Sequence, residues 1–176
     1  MSDMDEVIEF VARYVLAEHE EQVASFTERS YPRYTRTQKA VEAFFAPRVT
    51  QGFSRSAFES DTYFAQFAPK AERLAARTLF AVRRYAGDPS YGDLYRAYLS
   101  GNHQGDAGYD RNVYVARLEG AWKIVAVYGL DPDDEEELWW DRMRGAQLHD
   151  LGAAAETRRL TPPSPALHRA EFDGEG

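Results

Sequence analysis

The stretch from Asn112 to Tyr128, NVYVARLEGAWKIVAVY, constrains the fold more than any other part of the chain. Asn112–Leu118 (NVYVARL) and Ala121–Tyr128 (AWKIVAVY) read as two strands on either side of Glu119-Gly120. Two residues between two such runs leave no room for a crossover, so the strands must be antiparallel neighbours. The strand-like pattern extends upstream. Arg77–Tyr85 (RTLFAVRRY) and Leu94–Leu99 (LYRAYL) read as two more strands, separated by the turn signal Gly87-Asp88-Pro89-Ser90-Tyr91-Gly92. A Gly-rich loop, Gly101–Gly108, joins the second strand to the third.

The segments before this meander have helical period. Asp3–Glu28 places Val7, Val11, Tyr14, Val15, Val23 and Phe26 on one face. Ser2 and Asp5 have the spacing of a capping box, and Ser30-Tyr31-Pro32 predicts the helix end. A second helix is expected over Thr37–Ala46, with Val41, Phe44 and Phe45 on its apolar side and Pro47 ending it. Ser56–Phe67 suits a short helix, and a further piece runs from Pro69 to about Ala76. After the meander, Asp131-Pro132 opens a last helix, with Asp133, Asp134 and Glu135 at its positive end. Helices, then an antiparallel meander, then a helix make an α+β pattern. The sheet is expected to curl over the long first helix. A single domain is expected over 1–151, and the Pro-containing stretch 152–176 reads as a flexible tail.

Composition narrows the chemistry. The chain has 176 residues and no cysteine. That excludes a disulfide scaffold, a thiolate zinc site, a Cys nucleophile and an iron–sulfur centre. The net charge of −8 argues against nucleic acid and anionic membrane as partners, since both are polyanions. No run approaches the roughly 20 apolar residues of a membrane span. The acidic start, Met1-Ser2-Asp3-Met4-Asp5-Glu6, does not resemble a targeting segment, so a cytoplasmic location is expected. The charge is uneven: Met1–Ser30 carries a net −6, Tyr31–Arg96 +5 and Asp131–His149 −5. The acidic flanks either pair with the basic middle or form a dipolar surface for a partner, a homodimer included.

With its Trp-Lys-Ile strand after an acidic-Gly turn, Leu118-Glu119-Gly120-Ala121-Trp122-Lys123-Ile124 resembles the closing hairpin of the nuclear transport factor 2-like superfamily. The element order from Glu6 to Tyr128 is similar too. The resemblance implies a bent-sheet cone with a pocket between the sheet and the helices. The superfamily includes isomerases, dehydratases, polyketide-cyclase-like enzymes, transport adaptors and immunity proteins that neutralise toxins, so function has to be argued from the site.

Three sets of residues are candidates for a site. His103 lies in the Gly-rich loop near Asp106 and Asp110 and has the residue type of a general base. A solvated loop histidine is the simpler reading, and the superfamily places its acid–base groups inside the cone. The pocket set is Tyr14, Arg96, Tyr98, Trp122 and Tyr128. Leu94, Arg96 and Tyr98 share one strand face, as do Trp122, Ile124, Ala126 and Tyr128 by simple alternation. Such a set has the groups to hold a small anion or polarise a carbonyl, although core tyrosines and an outward Arg96 explain it more simply. The third set is the acidic run Asp131–Glu137. Glu136 and Arg142 stand where a calcium loop requires its glycine and final acid, so it is no EF-hand. A dipole-stabilised helix start accounts for part of it. With Trp139 and Trp140 behind them, Asp133, Asp134 and Glu136 also form a docking surface for a basic protein.

No convincing catalytic set emerges, and no cofactor or metal is expected. The leading expectation is a non-catalytic binding protein, of the immunity type, masking a basic toxin. A small-molecule pocket enzyme is the alternative.

Overall fold

Ser2 begins the first helix as its residue types predict. Its hydroxyl accepts the Asp5 backbone N–H at 3.2 Å, and the Asp5 carboxylate accepts the Ser2 N–H at 3.0 Å. This reciprocal pair is the capping box, and it starts α1, Asp3–Gln22. The computed structural model describes residues 1–47, 77–100, 111–128 and 151–160. Helix α1 continues into a π-helical turn, Val23–Thr27. Arg29, at a positive φ of 50°, then reverses the chain.

Helix α2 spans Tyr31–Glu42, with Ser30 as its N-cap and Pro32 in its first turn. It therefore starts earlier than the expected Thr37. Pro32 does block the preceding helix, but its missing N–H costs nothing in the first turn of the next one. The end also moves. Phe44 and Phe45 lie past the helix, where Phe45 forms a parallel bridge with Ile124.

The four expected strands form. They are β1 (Thr78–Asp88), β2 (Gly92–Ser100), β3 (Arg111–Leu118) and β4 (Ala121–Tyr128). A fifth strand, β5 (Glu156–Arg159), pairs antiparallel with β1, giving the order β4-β3-β2-β1-β5. This corrects the expected flexible tail at these residues. Glu-Thr-Arg-Arg carries no apolar alternation, because its pairing rests on backbone bonds to an edge strand. Beyond it, the Leu160 N–H donates to the Phe80 carbonyl at 3.0 Å, and the Leu160 side chain packs on the core. The β3–β4 turn places Glu119 at φ 50° and Gly120 at 82°, the two positive values of a tight hairpin turn.

The fold is α+β, with α1 packed on one face of the sheet. Val7, Val11 and Val15 meet Leu79, Val82 and Val115 there, all at most 1 % exposed. A second cluster, around Leu94, Tyr114, Ala116 and Ala126, covers the opposite face. The short helix expected after Ser56, the piece up to Ala76, the loop with His103, and the last helix with Asp133, Asp134, Glu136, Trp139 and Trp140 lie outside the described residues.

Candidate binding site on the second face of the sheet

A β-bulge decides which side chains can meet. Tyr114 pairs with Ala126 and Val115 with Ile124, leaving Val125 as an extra residue in β4. Alternation therefore breaks there. Trp122 and Ile124 pack on the α1 side, whereas Ala126 joins the opposite cluster. The expected single face of Trp122, Ile124, Ala126 and Tyr128 does not exist, because the bulge shifts its second half.

The pocket set is divided accordingly. Tyr14 and Trp122 belong to the α1 side, and that side is filled. The Tyr14 ring, 2 % exposed, meets Phe44 and Phe45 edge-on at 5.8 and 5.7 Å. Trp122 stands edge-on to Tyr95 at 5.4 Å and donates its indole N–H to Glu6 at 2.8 Å. Arg117 covers the indole at 4.4 Å. Burial pushes the Tyr95 phenol up, reinforced by Asp3 and Asp93. At the margin, an open groove of about 300 Å³ runs between Phe10, Arg13, Phe44, Trp122 and Lys123.

Arg96 and Tyr98 occupy the second face. The register sets Arg83, Arg96, Tyr114 and Ala126 in one row across the sheet. The next row is Ala81, Tyr98, Asn112 and Tyr128. Tyr128 is placed only by this backbone register. The Arg96 guanidinium lies over the Tyr98 ring at 4.7 Å and near the Tyr114 ring at 5.7 Å, and Arg83 lies over Tyr98 at 5.1 Å. Two cations thus share one tyrosine. Asn112 and Tyr114 belong to this cluster but not to the sequence-derived set. An asparagine inside an otherwise apolar strand was the available signal.

No family model, curated protein or solved structure matches the chain. Its site is therefore argued from these contacts alone.

Several acids of the N-terminal region pair with arginines. Arg117 reaches Asp3 at 3.2 Å and Glu6 at 2.8 Å. Arg77 meets Glu18 at 3.3 Å, Arg158 pairs with Asp5, and Arg33 pairs with Glu28. The Ser2 hydroxyl, the Ser2 N–H and Arg158 together hold the Asp5 carboxyl at about 2. Arg33 and Arg77 belong to the basic middle, so the expected pairing with that segment accounts for Glu28 and Glu18, whereas Asp3, Asp5 and Glu6 pair with arginines beyond it. Among the described residues, no group of three or more His, Asp or Glu side chains is arranged to hold a metal. No helix among them is long and apolar enough to cross a membrane.

Proposed function

We propose that the chain is a non-catalytic binding protein of the nuclear transport factor 2-like kind. Its partner is a basic protein, such as a toxin that it masks, docked on Asp133, Asp134 and Glu136 with Trp139 and Trp140 as anchors. The observation that carries the non-catalytic reading is the packing on the α1 side of the sheet. A pocket enzyme of that kind needs an open interior with converging polar groups there. Tyr14 instead packs edge-on against Phe44 and Phe45, and Trp122 against Tyr95. Tyr14 and Trp122 also lie on the α1 side of the sheet, and Arg96 and Tyr98 on the other.

The docking reading is supported by charge. Asp3, Asp5, Glu6 and Glu18 of the first helix have arginine partners within the fold, which makes their part of that helix a poorer docking surface. Asp131–Glu137 is the densest acidic run in the sequence. The test is titration of the full chain with a lysine-rich basic peptide at low and high salt. Wild type should bind with an affinity that falls as salt rises. Asp133→Lys/Asp134→Lys/Glu136→Lys should weaken binding at least about tenfold, or about 1.4 kcal/mol. An unchanged affinity refutes the acidic docking surface.

A further inference from the structure

The fold leaves Arg96 unexplained. Its side chain is 2 % exposed, and among the described residues its Nε and Nη2 have no hydrogen-bond partner. A guanidinium cannot discharge itself by losing a proton, so burial without a counter-charge is strongly unfavourable. The Tyr98 and Tyr114 rings satisfy its faces by cation–π attraction but leave these N–H groups unmet. Nε and Nη2 carry the two parallel N–H bonds of one guanidinium edge, the edge that grips a carboxylate bidentately. Diagonally across the β2–β3 pair lies Asn112, 0 % exposed, whose Oδ1 and Nδ2 both lack partners among the described residues. Native proteins leave few buried polar atoms unsatisfied. Here two neighbouring residues contribute four.

We propose that this face of the sheet binds a small organic hydroxycarboxylate, its acid group on the Arg96 edge and its hydroxyl on the Asn112 amide. The assignment follows from the unmet atoms. Arg96 offers two donors to one anion. Asn112 offers a donor and an acceptor, so the group beside the acid must both accept and donate. A hydroxyl does so without charge. An ammonium would face Arg96 and Arg83, two cations paired in register. The tyrosine rings wall the site, lowering the local dielectric and strengthening both interactions. This proposal uses none of the residues of the acidic docking segment, and either proposal can fail without the other.

The test uses the full chain with calorimetric titration and thermal unfolding. The probes are lactate and propionate, 2-hydroxybenzoate and benzoate, glycine, and inorganic phosphate. Wild type should bind at least one hydroxy acid saturably, about tenfold or more tighter than its partner lacking the hydroxyl. Glycine and phosphate should bind more weakly still. Arg96→Lys keeps a charge but loses the paired edge, and should lower affinity by at least about tenfold. Asn112→Leu should bring the hydroxy and deshydroxy acids to equal affinity. Arg96→Met removes the buried charge, and should unfold at the same or a higher temperature with no response to ligand. Four results overturn the proposal: no saturable binding to wild type, undiminished binding to Arg96→Lys, a hydroxyl preference kept by Asn112→Leu, or phosphate bound most tightly.

Discussion

Phe45→Ala should be among the most damaging single substitutions in this chain. Phe45 stands just beyond α2, 6 % exposed, with its ring edge-on to Tyr14 at an interplanar angle of 87°. The backbone around it is clipped to the margin of the sheet. The Ile124 N–H donates to the Phe44 carbonyl at 2.7 Å, and the Ala46 N–H donates to the Ile124 carbonyl at 2.9 Å. The same few residues thus fill the core and fasten the helical layer to β4. Truncating a buried phenylalanine costs about 3–5 kcal/mol, because a cavity replaces the ring. The edge-on contact contributes about 0.5–1.5 kcal/mol of this. Phe45→Leu keeps most of the volume and should cost about 1–2 kcal/mol. Total stability for a domain is about 5–15 kcal/mol, so the alanine variant would stand close to unfolding at body temperature. Guanidinium unfolding followed by far-ultraviolet circular dichroism measures both variants. Hydrogen exchange at Ala46 and Ile124 checks the clip separately, and both amides should exchange faster in Phe45→Ala. A loss below about 1 kcal/mol with unchanged exchange would refute the reasoning, since a buried ring on a backbone clip cannot be so cheap to remove.

Three further outcomes are expected. The folded Asp5 carboxyl lies at about 2 against an ordinary 3.8, so its stabilisation is present above 3.8 and fades as pH falls toward 2. Wild type should therefore lose stability over that window more steeply than Asp5→Asn in urea unfolding, and parallel profiles would contradict this. Glu119→Asn should raise the unfolding free energy measured in urea by about 0.5–1 kcal/mol, since asparagine tolerates the positive φ there better than glutamate. Arg77→Leu should destabilise by about 3 kcal/mol by breaking the buried Arg77–Glu18 pair, and Glu18→Leu/Arg77→Leu should recover most of that in urea unfolding. A double variant no better than the single would show that the ion pair is not the cause.

What could be read from residues alone was whatever depends on near neighbours. The capping box of Ser2 and Asp5 is such a case, and so is the Glu119-Gly120 turn, whose strand ends fall where alternation puts them. Pro32 shows the limit of local signals, because one proline both stops a helix and starts the next. The bulge at Val125 was invisible, since an apolar residue in an apolar strand does not reveal which partner it lacks. That single displacement separated the expected pocket residues. Strand β5 was missed for a related reason: its sequence is polar, and its order comes from the backbone of β1 and from Arg158 and Leu160 reaching the α1 side. Arg96 and Tyr98 were rightly linked by strand parity. Asn112 became part of their cluster only once the β2–β3 register was known.

The cap of α1 has a temporal consequence. Asp5 is held by Arg158, and Asp3 and Glu6 by Arg117, partners more than a hundred residues later in the chain. During synthesis the first helix emerges well before any of these arginines. Its opening turn must wait, held only by Ser2, until the hairpin and then β5 have left the ribosome. Contacts of such long sequence separation form late and slow the final step of folding. The apolar stripe of α1 is exposed over that interval, the period in which a nascent chain most needs a chaperone.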